Sequence, residues 1–333
     1  MTGVIVTGGV GFVGSHLLRT LTERGDDVRV LDLVDVADQP KVAGILDSCD
    51  FDYRAVDVRD SAAIDDAIDG AELVFHLASH VGLSHYLRDA EDVADVIFNG
   101  TRIVANAALR RGVPMVFTST SEVFGRNPSL PWPETADCVM GDASRPRWVY
   151  ATAKMLAEQL LFDLARRRGL RFTTVRLFNV YGPGQDSSFF VTRTLWRLAH
   201  GYQPVVLDGG EQRRCFTFID DAVAALVRAS QTPAAFGEAF NIGSTTPISV
   251  LGAIDTLAEV AGVDRSGLVP IHRSSRDLYG PNHDEPIARI PDIGKAVRIL
   301  GWQPSTSLTE GATAMLDWAN HRGWWTSDVL DVD

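Results

Sequence analysis

The chain of 333 residues carries 31 Lys+Arg against 43 Asp+Glu, a formal net charge of −12. That balance excludes a nucleic-acid binder, which needs a basic face for phosphates, and does not suit docking on anionic lipid. Hydrophobic residues make up 45% and charged residues 22%, the composition of a globular protein with one large or two modest domains.

The three cysteines, Cys49, Cys138 and Cys215, lie far apart, so neither a disulfide framework nor a zinc site is expected. No metal ligation is read from the chain. The chain opens directly into Val4-Ile5-Val6 with no basic leader, and no apolar run approaches the ~20 residues of a membrane span. A cytoplasmic protein is the expectation. Lys41, Lys154 and Lys295 are the only lysines, which draws attention to any lysine in a motif.

In chain order, β-branched or aromatic runs at 4–6, 28–33, 51–56, 73–77, 115–119 and 172–177 read as strands. Helical spacing occupies 14–24, 61–68, 93–111 and 151–168. Arg166, Arg167 and Arg168 before Gly169 read as a helix end, with cations at the negative end of the dipole, rather than as a nucleic-acid patch. Strands alternating with helices predict an α/β fold: a doubly wound parallel Rossmann sheet with a smaller C-terminal substrate-binding lobe. Further strands are expected at 216–219 and 239–242, with 216–242 returning to the main sheet. The dinucleotide-binding domain is therefore drawn as 1–178 plus about 214–246, and the lobe as 179–213 plus about 247–333.

Chemistry-bearing motifs fall at the carboxyl ends of these strands. Thr7 to Gly14 follows the first strand and opens a helix. Gly8, Gly11 and Gly14 allow a tight turn, close approach of a pyrophosphate and helix-on-strand packing. An ordinary glycine-rich turn is the alternative, and Asp32 at the end of the second strand argues against it. A carboxylate there holds a ribose diol and repels a 2′-phosphate, which favours NAD. Asp57 after the third strand can accept from the adenine amino group, or can be a surface cap. Tyr150 and Lys154 stand at i, i+4 on one helix face. There the ammonium is expected to lower the phenol's pKa from its ordinary ~10, unless the two are a surface pair. Thr120, Ser121 and Glu122 follow the fifth strand, where Thr120 can share a substrate hydroxyl with Tyr150. Glu122 adds a carboxylate that simple alcohol oxidation does not require; otherwise it is a helix-start acid satisfied by backbone amides.

Together with His76-Leu77-Ala78-Ser79 and Arg176-Leu177-Phe178-Asn179-Val180-Tyr181-Gly182-Pro183, these motifs resemble the extended short-chain dehydrogenase/reductases, which act on nucleotide sugars. The resemblance runs from about residue 3 to about residue 320. Four stretches look most like the UDP-glucuronate decarboxylases: Ser119 to Glu122, Arg145 to Tyr150, Asp208 to Thr217, and Arg289 to Ile293 followed by Leu300 to Pro304. It implies catalytic roles for Thr120, Ser121, Glu122, Tyr150, Lys154 and Arg289, with Arg289 at the sugar carboxylate. It also implies substrate contacts from Asn179, Arg214 and Tyr279. Gly8, Gly11, Phe12, Val13, Gly14, Asp32, Asp57, Val58, Leu77, Ala78, Ser79, Tyr150 and Lys154 would line the NAD site, and two copies would form a homodimer through 93–111 and 151–168. The chain departs from the pattern at Phe124, where Tyr is usual, and over 185–190; His80 and His85 have no assigned role.

The expected reaction is NAD-dependent oxidation at C4 of a UDP-hexuronic acid, UDP-glucuronate, followed by decarboxylation to a UDP-pentose or UDP-4-ketopentose. A UDP-glucuronate 4-epimerase would use Thr120, Tyr150 and Lys154 identically but has no evident need of Glu122. A 4,6-dehydratase would use Glu122 as a C5 base. A non-catalytic dinucleotide sensor on the same fold would not need the retained Tyr and Lys.

Overall fold

The computed structural model describes residues 3–279 and 285–322, without the side chains of 83–85 and 279. Six of the expected strands form as β1 (Gly3–Thr7), β2 (Asp27–Asp32), β3 (Asp52–Ala55), β4 (Leu73–His76), β5 (Met115–Thr120) and β6 (Phe172–Leu177). With a final strand, Glu238–Ile242, they make a seven-stranded sheet ordered final–6–5–4–1–2–3. Every pairing in it is parallel: Val4 lies opposite both Val28 and Leu73, and Thr7 opposite both Leu31 and His76. The order reverses between β1 and β4, which opens a crevice at the carboxyl ends of those strands.

Helices α1 (Phe12–Glu23), α2 (Pro40–Leu46), α3 (Ser61–Ala67), α4 (Leu83–Arg88), α5 (Ala90–Arg111) and α6 (Val149–Arg168) cover the sheet together with the later helices. Side chains alternate across a strand, and the core divides accordingly. Val4 and Val6 pack with Leu17, Leu21, Ile219 and Leu226 on one face. Ile5, Val74, Met115 and Phe117 pack with α3, α5 and α6 on the other. Local chemistry sets the helix ends. The Asp89 side chain caps α5 by accepting from Asp92 N at 3.0 Å, and Arg110 and Arg111 end it before Gly112 at φ 66°. The arginines at 166–168 end α6 before Gly169 at φ 77°, as their charge predicts.

The strand expected at 216–219 is shorter and lies elsewhere. Thr217–Phe218 pairs in parallel with Val180–Tyr181 in a separate two-stranded sheet, and Ile219 already begins the helix Ile219–Gln231. Only Glu238–Ile242 returns to the main sheet. A three-stranded sheet joins Arg213–Arg214 to Ile248–Ser249 and to Ala288–Arg289. This small sheet matters because it carries two site arginines over the crevice.

Candidate active site

The first turn after β1 is built by contact as much as by conformation. A Cβ on Gly8, which has φ +72°, would lie 2.6 Å from Ala78 N, and one on Gly14 would lie 2.3 Å from Gly8 O. Both positions therefore exclude any side chain. Gly11 is exposed and would meet only Gly8 O, at 3.3 Å, so its backbone faces open space at the start of α1. A glycine edge at a helix N-terminus fits a pyrophosphate. The Asp32 carboxylate accepts from Val10 N at 3.0 Å and Val34 N at 3.2 Å, which aims it across the same turn; burial raises its pKa against those bonds. These residues fit NAD. Asp57 is held differently: both its oxygens receive Arg59, at 2.7 to 3.1 Å.

Behind the turn, His76 is fully buried between two threonines. Thr101 donates to Ile97 O at 2.6 Å, so it accepts from His76 Nε2–H at 3.0 Å. Nδ1 then accepts from Thr7 Oγ1–H at 2.7 Å, and Thr7 in turn accepts from Ala78 N at 3.2 Å. Burial, with Lys154 nearby, pushes the imidazole pKa down to about 3, so it stays neutral. This chain of bonds fixes Leu77, Ala78 and Ser79 against the glycine turn. His80 pairs its Nε2 with Asp92 at 2.8 Å.

Tyr150 and Lys154 lie in the first turns of α6, both buried. Lys154 Nζ donates to Thr118 O at 2.8 Å and sits 4.7 Å from the Phe117 ring centre. Burial lowers its pKa to about 7. The expected lowering of the phenol's pKa is not found. Burial and the negative charge of Glu122 raise the Tyr150 pKa, while hydrogen bonds with Thr120 and Ser79 lower it only in part. Lys154 reaches to within 6.0 Å of the phenol ring centre, but its ammonium is spent on the Thr118 carbonyl. Tyr86 of α4 stacks on Tyr150, with centroids 4.8 Å apart and planes at 9°, and its hydroxyl accepts from Gly82 N at 3.1 Å. A sequence period offers no sign of that stack.

Thr120, not Glu122, caps the short 3-10 turn Ser121–Phe124: its Oγ1 accepts from Glu122 N at 3.2 Å. The Glu122 carboxylate is turned instead toward two arginines. Arg147 Nη1 donates to Oε2 at 2.6 Å and Arg289 Nη1 to Oε1 at 3.2 Å. Burial opposes ionisation of Glu122, but Arg147 and Arg289 outweigh it, and the pKa ends lowered. Glu122 rests as a carboxylate. Ser121 is buried beside it.

A second carboxylate, Glu285, closes the cluster. Its Oε1 accepts from Arg214 at 2.9 Å and Arg289 at 2.6 Å, and its Oε2 accepts from Arg147 at 3.0 Å. Those three guanidiniums hold its pKa far down against burial. Burial and the neighbouring Arg289 push the Arg214 pKa down to about 10. Arg147 and Glu285 had no assigned role in the sequence; the first lies in the quoted run before Tyr150, the second beside no motif. Asn179 is nearby in an uncommon conformation, φ 40°, its side-chain amide donating to Cys215 O at 3.3 Å and its backbone carbonyl accepting from Thr217 N at 3.1 Å. The Tyr279 and His85 side chains lie outside the described residues. Gln185, in the stretch that departs from the pattern, bonds Val180 O and Thr192 and so ties its own loop together.

Among the described residues no helix is long and apolar enough to cross a membrane, and no group of three or more His, Cys, Asp or Glu is placed to hold a metal.

Comparison with known proteins adds a family. The sequence profile of the NAD dependent epimerase/dehydratase family matches residues 4–243. The chain is 30% identical over 317 residues to a UDP-N-acetyl-alpha-D-glucosaminuronate decarboxylase of Bacillus cytotoxicus, covering 94% of this chain and 96% of that protein. It is 30% identical over 322 residues to UDP-glucuronic acid decarboxylase 1 of Arabidopsis thaliana, covering 94% and 68%. Among solved structures it is similar to the UDP-glucose 4-epimerase of Thermotoga maritima with UDP-glucose, with a TM-score of 0.83 and 27% identity over 96% of this chain and 99% of that one.

Proposed function

The chain belongs to the NAD dependent epimerase/dehydratase family, and on that premise we propose that it decarboxylates a UDP-hexuronic acid, UDP-glucuronate. The observation that carries this reading is the ionised Glu122 held between Arg147 and Arg289 beside Tyr150. Two buried arginines at that point suit the carboxylate that a hexuronic acid adds to a UDP-sugar.

Gly8, Gly11, Phe12, Val13, Gly14 and Asp32 hold the NAD pyrophosphate and ribose, with Asp57, Val58 and the 77–79 loop around the adenine and nicotinamide ends. NAD bound there supplies the hydride acceptor for C4. Tyr150, bonded to Thr120 and Ser79, takes the C4 hydroxyl proton as the phenolate, an ionisation that burial and Glu122 oppose in the resting site. Tyr86 keeps the phenol from turning away. Burial lowers the Lys154 pKa to about 7, which suits an amine that passes a proton near neutral pH. Once C4 is a ketone, the C5 carboxylate belongs to a β-keto acid, and carbon dioxide leaves as its electrons flow into the carbonyl as an enolate. Arg289 orients the carboxylate by a forked contact. Glu122, resting ionised, and Ser121 manage protons at C5 and the carboxyl group. Arg214 and Asn179 hold the UDP phosphates. If the hydride is returned to C4 the product is a UDP-pentose, and if it is not the product is a UDP-4-ketopentose.

The substrate-binding lobe is assigned to 179–213 and about 247–333. A homodimer through α5 and α6 completes the assignment; Leu156 and Phe162 are exposed apolar residues of α6. Light scattering that returns a monomer overturns that part. The reaction is tested by incubating the protein with NAD⁺ and UDP-glucuronate, or its 2-acetamido analogue, and weighing the sugar nucleotide by mass spectrometry. Loss of carbon dioxide supports the proposal. Unchanged mass with a new chromatographic peak means epimerisation, and loss of water from a UDP- or dTDP-hexose means dehydration; either replaces it.

A further inference from the structure

Three arginines share two carboxylates at this site, a surplus of one positive charge. Glu122 takes one bond from Arg147 and one from Arg289. Glu285 serves Arg147, Arg214 and Arg289 at once. The two acids are not equivalent. Glu122 sits deeper, its side chain 16% exposed, whereas Glu285 lies outermost at 27% and belongs to no helix or strand.

Arg214 and Arg289 are register partners on adjacent parallel strands. Like charges at such partners repel, and the arrangement needs an anion between them. Two donors in the cluster are still unused: Arg147 Nε and Arg289 Nε are buried without a hydrogen-bond partner. Buried guanidinium N–H groups are costly to leave unmade. The cluster is therefore an anion site that the Glu285 carboxylate fills incompletely.

We propose that Glu285 is a built-in surrogate anion: its carboxylate holds the place of the substrate's own anionic group among Arg147, Arg214 and Arg289, and leaves it when substrate binds. The inference rests on the nucleotide-sugar reading above and adds Arg147 to the residues that recognise the substrate anion. The group that displaces Glu285 is a carboxylate or a phosphate, because both offer the planar or tripodal oxygens that forked arginines take. The surrogate keeps three buried cations from facing one another in the empty protein. It also reduces the apparent affinity for substrate by the fraction of time that it occupies the site.

The test is titration calorimetry on the NAD-loaded protein with UDP-glucuronate, which has both anionic groups, and UDP-glucose, which lacks the carboxylate. E285Q is expected to bind UDP-glucuronate about tenfold more tightly than the wild type. In E285Q, inorganic phosphate becomes a competitor for the vacated arginines, which it is not in the wild type. That gain separates displacement from a simple change of local charge. Tightening confined to UDP-glucuronate assigns the place to the sugar carboxylate; equal tightening of UDP-glucose assigns it to the diphosphate. Unchanged or weaker UDP-glucuronate binding by E285Q overturns the proposal. Should the amide fail to fold, E285D keeps the charge on a shorter arm, and the same tightening is expected or the proposal falls. If E285Q binds more tightly and carbon dioxide is never released, the reaction assignment fails and the surrogate stands. If the wild type decarboxylates and neither variant gains affinity, the surrogate alone fails.

Discussion

Replacing Glu122 by Gln removes one negative charge from the site while keeping its shape. Two bonds weaken, those from Arg147 at 2.6 Å and Arg289 at 3.2 Å, but each arginine keeps Glu285. The loss of stability should therefore fall at about 1–3 kcal/mol, as for one buried charged hydrogen bond, below the ~3–5 kcal/mol of a pair left wholly unpartnered. Catalysis should suffer more. A positioned proton-handling group contributes roughly 10²–10⁴-fold, about 2.7–5.5 kcal/mol of barrier. Substrate binding should stay within about threefold of wild type or improve, because an anionic ligand no longer meets the Glu122 charge. A second signature is a shift in the pH profile. Glu122 raises the Tyr150 pKa, so in E122Q the limb assigned to the phenol moves to lower pH. The assay pairs calorimetric affinity for UDP-glucuronate with mass-spectrometric release of carbon dioxide across pH. Equal loss of affinity and turnover, with the phenol limb unmoved, would refute the reasoning.

Three other outcomes follow from the geometry. G14A drives a Cβ to 2.3 Å from the Gly8 carbonyl and 2.7 Å from Gly9, both backbone, so thermal unfolding should show a loss of about 1–3 kcal/mol; G11A should leave stability near wild type yet weaken NAD binding measured by calorimetry. Lys154 has its pKa lowered to about 7 from 10.5, so the unfolded chain binds the extra proton between those values; the empty protein should gain stability as pH rises through that window, and K154M should lose that slope in melting curves. The buried Arg176–Glu158 pair, bonded at 2.6, 3.0 and 3.1 Å, joins β6 to α6; E158Q leaves a buried guanidinium with a weaker partner and should cost about 3–5 kcal/mol in urea unfolding, against near neutrality for a surface change such as D163N.

The alternation of short β-branched runs with helical spacing was enough to foresee all seven strands of the main sheet and the arginine–glycine end of α6, because those depend on neighbours a few residues away. The glycine turn, Asp32 and the Thr-Ser-Glu and Tyr-x-x-x-Lys motifs were legible for the same reason: each is a local arrangement at a strand end or on one helix face. The strand expected at 216–219 missed its partner, because an apolar run does not say which edge it will join. The electrostatics escaped sequence too. Spacing put an ammonium beside Tyr150, but burial and Glu122 decide that phenol's pKa, and both depend on the packed site.

What only the tertiary structure decided is the arginine cluster. Glu122 meets Arg147 across 25 residues and Arg289 across 167, and Arg147 meets Glu285 across 138. No periodicity reaches so far. Those charges come together because the small sheet of Arg213–Arg214 and Ala288–Arg289 is laid over the carboxyl end of β5, where Thr120 turns Glu122 inward. The composition and local motifs determined a globular α/β chain with a dinucleotide turn; closure of distant segments around buried charge decided what lies at the end of that turn's crevice.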